Sequence, residues 1–332
     1  MPQHGVCTQV SPECPASATT LGYAPNLGAN VFFTVAYGIC ALFTIAIAVW
    51  KRTWAFGFTA GSGFILEMVG YIGRILLHYN AWNLSGFKMD LVCIIIAPTL
   101  ICAGIYLTLK HVARTVAPTH SRITPRLYTW IFIPFDVFCL LLQAAGGVVD
   151  AAAADSSTMN ESLLKTGDNI MIAGIALQVV NLIVFGLFSL DFWVASRKHF
   201  KGLAQKDSTS AEASAEARIW FSRRFRVFCA AVACAYAGIL VRCVYRIAEM
   251  AGGWGNPVMQ NEVLFYILEG AMVVYPAILL TIFAPGFFFP EMGTKPVQQS
   301  PTATDVDAGD VGEGEGEEYR MMTSEERIMS SE

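Results

Sequence analysis

Charge is scarce in this 332-residue chain, at 14% of residues, against about 25% for a soluble domain. Hydrophobic residues make up 55% and mean hydropathy is +0.50, which excludes an ordinary soluble protein. The first 27 positions hold no lysine, no arginine and no apolar run. A cleaved signal peptide needs both a basic start and an apolar stretch, so the first span is expected to act as its own insertion signal. No Gly-x-x-x-x-Gly-Lys-Ser/Thr motif occurs, so nothing marks the chain as an ATP hydrolase. CxxC pairs and metal-ligand spacings are also missing, and no metal or cofactor is expected. Only five histidines are present, His4, His78, His111, His120 and His199. A zinc hydrolase inside the membrane needs several at one depth, and here only His78 borders the outer end of a span. The basic residues flank apolar runs rather than form one face, which argues against nucleic acid as a partner.

What is there is a set of seven apolar runs, each long enough for a bilayer crossing of about 20 residues. They are 29–50, 54–78, 89–109, 128–149, 170–194, 226–250 and 262–283. The fold class is therefore an all-α integral membrane protein, a seven-transmembrane helix bundle. Pro98, Pro134 and Pro276 lie inside runs and predict kinks or freed carbonyls. Gly57-x-x-x-Gly61 predicts a close helix contact, within the bundle rather than between copies.

Lysine and arginine sort unevenly among the loops. One set of loops holds fourteen, whereas the set that includes the N-terminus holds two, Lys88 and Lys165. The positive-inside rule then places the N-terminus outside and the C-terminus in the cytosol. The sequons at Asn83 and Asn160 fall in loops on the predicted outer side and are candidate glycosylation sites. Cys7 and Cys14 lie in the same external segment and are a candidate disulfide. The other seven cysteines lie in spans, as small apolar packing residues. From Glu291 onward eleven acidic residues face three basic ones, and that composition predicts disorder. The chain thus divides into an extracellular segment 1–27, a membrane domain 28–286 and a disordered acidic cytosolic tail 287–332. The basic, aromatic end of the 197–226 loop reads as the flank of a span, with contact to anionic lipid as the alternative. Tyr319-Arg-Met-Met322 fits a short tyrosine-based sorting pattern.

A charge in mid-bilayer costs at least about 2.5–3.5 kcal/mol, so charged residues inside spans face protein or water and mark candidate sites. Arg242, Arg246 and Glu249 are spaced to share one helix face. Glu67 and Arg74, Asp136 and Gln143, and Glu262 and Glu269 are each two turns apart. Gln178 and Asn181 add polar groups to the fifth span. The candidate cavity residues are Glu67, Arg74, Asp136, Gln143, Gln178, Arg242, Arg246, Glu249 and Glu269. Three cations against four carboxylates predict pairing within the bundle. Asp90, Asp191 and Glu262, at span edges, are expected to meet water or headgroups. Most of the set falls in the outer half of the spans, which predicts a polar cavity open to that side.

These motifs resemble the fungal lipid-translocating exporter family, the RTA-like proteins. The matching pieces are Tyr23-Ala-Pro-Asn26, Glu67-x-x-Gly-Tyr71-x-Gly-Arg74, Ala97-Pro98, Tyr106 and Asp136 through Gln143 to Gly146-Gly147. Gly174, Gln178, Arg242-x-x-Tyr-Arg246-x-x-Glu249 and Glu262-x-x-x-Tyr266-x-x-Glu269 complete the order. One departure is Ala284-Pro285-Gly286, where the family usually reads His-Pro-Gly. The resemblance implies export or translocation of amphipathic lipids, such as sphingoid long-chain bases, with sterol-like and porphyrin compounds among relatives' substrates. It also implies lipid homeostasis, resistance to toxic amphiphiles and a multi-pass protein of the plasma membrane rather than an enzyme. Membrane lipids and amphipathic small molecules are the expected partners. A base with an ammonium head and an alkyl tail suits Glu67, Glu249 or Glu269 as acceptor. The alternative is a seven-span lipid or stress sensor. Against it stand the missing Asn-Pro-x-x-Tyr, the missing acidic-Arg-Tyr triplet and a 150–169 loop without cysteine.

Overall fold

The computed structural model describes residues 7–116, 125–155, 161–205 and 220–288. Asn160, the sorting-like motif and the acidic tail from residue 289 lie outside the described residues, as does 206–219 of the basic loop. Seven long apolar helices cross the bundle, and the chain is a multi-pass membrane protein. They are α1 (Leu27–Lys51), α2 (Trp54–Tyr79), α3 (Leu84–Val116), α4 (Pro125–Asp155), α5 (Glu161–Gln205) and α6 (Arg223–Ala251). The seventh, α7, is composite: an α-turn Glu262–Phe265, a π-helical stretch Tyr266–Ala271, and an α-helix Met272–Ile282.

Local chemistry sets several ends. The Asn26 side chain accepts from the Ala29 amide and starts α1, and Asn261 does the same for Leu264 in α7. Arg52 caps α1 in the left-handed region at φ 56°, which turns the chain into α2 with only Arg52 and Thr53 between the two helices. Helices α3 and α5 outrun the apolar stretches expected for them, 89–109 and 170–194. Hydropathy marks only the lipid-crossing part, while the polar residues beyond it continue the helix. Pro98 and Pro134 sit inside unbroken helices.

Helix α2 packs between α1 and α3, α4 against α5, and α6 against α7. A Cβ at Gly57 would stand 2.2 Å from the Ala48 Cβ, and one at Gly61 2.9 Å from Ile45. The Gly-x-x-x-Gly pair therefore serves the α1–α2 contact. The main core runs through the centre, with Phe33, Tyr37, Phe64, Tyr71, Ile101, Tyr106, Phe185 and Ile239 fully or almost fully buried. Large apolar side chains such as Phe32, Leu42, Phe58, Leu141 and Leu187 point outward. Apolar residues on both sides of a helix are expected where lipid is the solvent.

Candidate functional site

The charged side chains gather in the half of the bundle nearest the N-terminal segment. Glu67, Tyr71 and Arg74 follow one stripe of α2, and Arg242, Arg246 and Glu249 one stripe of α6. Glu269 enters from the π-helical stretch of α7, a distortion that often occurs at functional sites. The Arg242 Nε donates to Glu269 Oε1 at 2.7 Å, its Nη2 bonds the same oxygen, and Nη2 also donates to the Ile94 carbonyl at 2.6 Å. Arg246 Nη1 donates to Glu249 Oε2 at 2.6 Å on the same helix.

Arg74 finds its partner outside the expected set. Its Nη1 pairs with Asp90 Oδ2 at 3.1 Å, its Nη2 donates to the Tyr23 hydroxyl at 2.8 Å, and its guanidinium lies 3.8 Å from the Phe265 ring centre. Asp90 is only 6% exposed, which corrects the expectation of a wet span edge. Helix α3 begins at Leu84, so Asp90 already stands more than a turn inside it. Glu262 keeps to its edge, accepting from the Asn26 amide at 2.5 Å and the Tyr266 hydroxyl at 2.9 Å.

Glu67 differs from the other carboxylates. It is 1% exposed and feels the charges of Arg242, Glu269, Asp90 and Arg246, yet it forms no ion pair among the described residues. Its Oε1 has no hydrogen-bond partner. The same is true of Tyr71 OH, Arg74 Nε, Asp90 Oδ1, Arg246 Nε and Glu269 Oε2. Unmet polar atoms are rare in folded interiors, and six gathered in one region leave donors and acceptors for a polar group.

Asp136 and Gln143 do not join this cluster. Asp136 accepts from Tyr106 OH at 2.9 Å and from Asn181 Nδ2 at 2.7 Å. Gln143 donates to Gln178, and Gln178 donates to Thr99, at 3.0 and 2.8 Å. Among the described residues no arginine enters either chain of bonds, so the pairing expected within the bundle does not extend to Asp136. The fourth and fifth helices carry a neutral-donor network against α3. Thr99 gave no signal in the sequence, because a lone threonine in a span normally bonds its own helix.

The charged cluster is also closed, in place of the open cavity expected. Residues of the N-terminal segment cross over it. Tyr23 binds Arg74, the Pro25 carbonyl pairs with His78 Nδ1 at 2.7 Å, and the Cys14 carbonyl accepts from Trp82 Nε1 at 3.1 Å. Burial pushes the Tyr23 phenol above its ordinary value, with Arg74 opposing the shift. Cys7 and Cys14 are joined as a disulfide, and the Thr8 carbonyl beside it accepts from Asn80 at 2.9 Å. Asn83 caps α3, its Oδ1 accepting from the Gly86 amide at 3.0 Å. Among the described residues no group of three His, Cys, Asp or Glu side chains is arranged to hold a metal.

A family model described as RTA1-like protein matches residues 61–292. A Saccharomyces cerevisiae protein named sphingoid long-chain base transporter RSB1 is 30% identical over 297 residues, covering 83% of this chain and 76% of that protein. Protoporphyrin uptake protein 1 from the same species is 29% identical over 232 residues, covering 69% and 67%. A Leptosphaeria maculans protein named lipid-translocating exporter-like protein RTA1 is 26% identical over 327 residues, covering 90% and 56%. No solved structure matches the chain significantly.

Proposed function

The chain belongs to the RTA1-like family, and from that premise we propose that it translocates amphipathic lipids, with cationic long-chain bases as the substrate class. The N-terminal face is the exterior, the C-terminus is cytosolic and the membrane is the plasma membrane. Movement of the lipid involves no catalytic step by this chain. The observation that carries the proposal is Glu67. Among the described residues it is the buried carboxylate of the charged cluster that forms no ion pair with an arginine, and its Oε1 has no hydrogen-bond partner. An ammonium head is the complementary group, because a buried carboxylate without a partner is strongly disfavoured. Glu249 and Glu269, equally plausible from sequence, are occupied by Arg246 and Arg242. The alkyl tail passes between helices, where apolar side chains already meet lipid.

The test is export of labelled sphingoid base from yeast expressing the chain or Glu67→Gln at equal surface level. Wild type should accelerate export and the variant should lose the gain while keeping its melting temperature. Export by the variant at the wild-type rate would overturn the role of Glu67. No acceleration by wild type would turn the reading toward a lipid sensor. A glycosidase-sensitive mobility shift lost in Asn83→Gln/Asn160→Gln tests the orientation.

A further inference from the structure

At the opposite end of the bundle, a cavity of about 230 Å³ lies between the α1–α2 turn and α3. Arg52, Thr53, Trp54, Phe56, Thr108 and His111 line it. Arg52 ends α1, Thr53 follows, and α2 starts at Trp54. The Thr53 side chain does not cap the helix. The first amide of α2 seen bonded to the turn is that of Gly57, which donates to the Thr53 carbonyl. The amides of Trp54, Ala55 and Phe56 are the ordinary orphan donors of a helix start, and the positive end of the dipole of a 26-residue helix lies there.

Two independent observations turn this end into a site. Thr53 is 6% exposed, faces the cavity, and its hydroxyl makes no hydrogen bond among the described residues. Arg52 is exposed and forms no ion pair among them. His111 of α3 forms part of the other wall, and among the described residues no carboxylate lines the space. The Arg52 guanidinium and the free amides of α2 are donors, and the Thr53 and Thr108 hydroxyls can donate or accept. Depth matters as well. Trp50 and Trp54 are exposed beside the cavity, and Lys51 lies 4.5 Å from the Trp50 ring centre and 5.3 Å from that of Phe287. Tryptophan and lysine at a span end are anchors at headgroup level.

We infer that this cavity binds a phosphate group, held by Arg52, the Thr53 hydroxyl and the first amides of α2. Anion binding at a helix start with a guanidinium beside it is a recurrent physical solution. The phosphate can be that of an anionic lipid headgroup or a free phosphate ion. This site is far along the helices from Glu67 and stands whether or not the chain moves long-chain bases.

The experiment uses the purified full chain in neutral detergent, with dioctanoyl phosphatidic acid in one arm and inorganic phosphate in the other. Native mass spectrometry counts bound molecules. The expected result is saturable binding of one molecule per chain, weakened about tenfold in Arg52→Gln, the loss typical for a charge-assisted hydrogen bond. Thr53→Val should weaken it about threefold, as for a single hydroxyl. Arg224→Gln, which removes an exposed charge from the same face outside the cavity, should leave it unchanged. Binding of phosphatidic acid that inorganic phosphate does not displace assigns the site to a lipid headgroup. Displacement by inorganic phosphate assigns it to the free ion. Absence of saturable binding in both arms would overturn the inference, and so would equal weakening by Arg224→Gln and Arg52→Gln.

Discussion

Arg242 and Glu269 meet on one oxygen: two guanidinium nitrogens reach Glu269 Oε1, while Oε2 of the same carboxylate has no hydrogen bond. Both side chains are almost fully buried. Glu269→Gln keeps the shape but leaves Arg242 without its counter-charge. Breaking one side of a buried pair costs about 3–5 kcal/mol, whereas removing both charges is often close to neutral. The single variant should therefore unfold at much lower temperature in detergent. Arg242→Gln/Glu269→Gln should recover most of the loss. A double variant melting as low as the single one would show that the two residues do not act as a unit.

The helices were legible in the hydropathy, and so was the common face of Arg242, Arg246 and Glu249, because both follow from spacing along one chain. Partners across helices were not. Asp90 read as an edge residue because the apolar run begins at Met89, yet α3 starts at Leu84 and carries Asp90 to Arg74. Asp136 read as one more carboxylate for the arginines. Only its depth and rotation, set by α4 packing on α5, turn it to Tyr106 and Asn181. The π-helical stretch at Tyr266–Ala271 had no residue signal at all. Pro276, the visible breaker, lies beyond it inside an α-helix.

Tyr23 gives a pH dependence with a definite sign. Burial raises its pKa above 10.0 in the folded chain. As pH rises past about 10, the unfolded phenol loses its proton before the folded one does. The folded state then holds more protons, so stability present at neutral pH is lost at alkaline pH. Tyr23→Phe removes this dependence. It also removes one hydrogen bond to Arg74, about 1 kcal/mol. Melting curves should show wild type above the variant near neutrality and the gap closing in alkali. A gap independent of pH would reject the linkage.

Gly146 and Gly147 are neighbours in α4 with different surroundings. A Cβ on Gly146 would stand 2.7 Å from the Met171 amide nitrogen and 2.8 Å from the Gly167 carbonyl of α5. Backbone cannot step aside as a side chain can. On Gly147 the nearest contact would be the Met171 methyl at 3.7 Å. Gly146→Ala should lower stability by about 1–3 kcal/mol, the usual penalty of overpacking. Gly147→Ala should be neutral or slightly stabilising, since alanine favours helix by up to about 1 kcal/mol. Equal melting temperatures for the two variants would contradict the α4–α5 contact.

The Cys7–Cys14 disulfide closes a loop at the start of the segment that covers the charged cluster. Few other bonds hold that stretch: Asn80 to the Thr8 carbonyl and Trp82 to the Cys14 carbonyl. A short closed loop contributes about 2–3 kcal/mol by limiting the open chain, and here that acts on the segment's docking rather than on the helices. Cys7→Ser/Cys14→Ser should leave the bundle's melting temperature nearly unchanged. Amide exchange should rise along residues 7–22, and Arg74 should stay protected because Tyr23 and Asp90 bind it from other points. The segment would then open locally, at low cost, while the buried pairs beneath it persist. If the whole bundle instead melts earlier by many degrees, the disulfide is part of the folding core and the segment is not a separate cover.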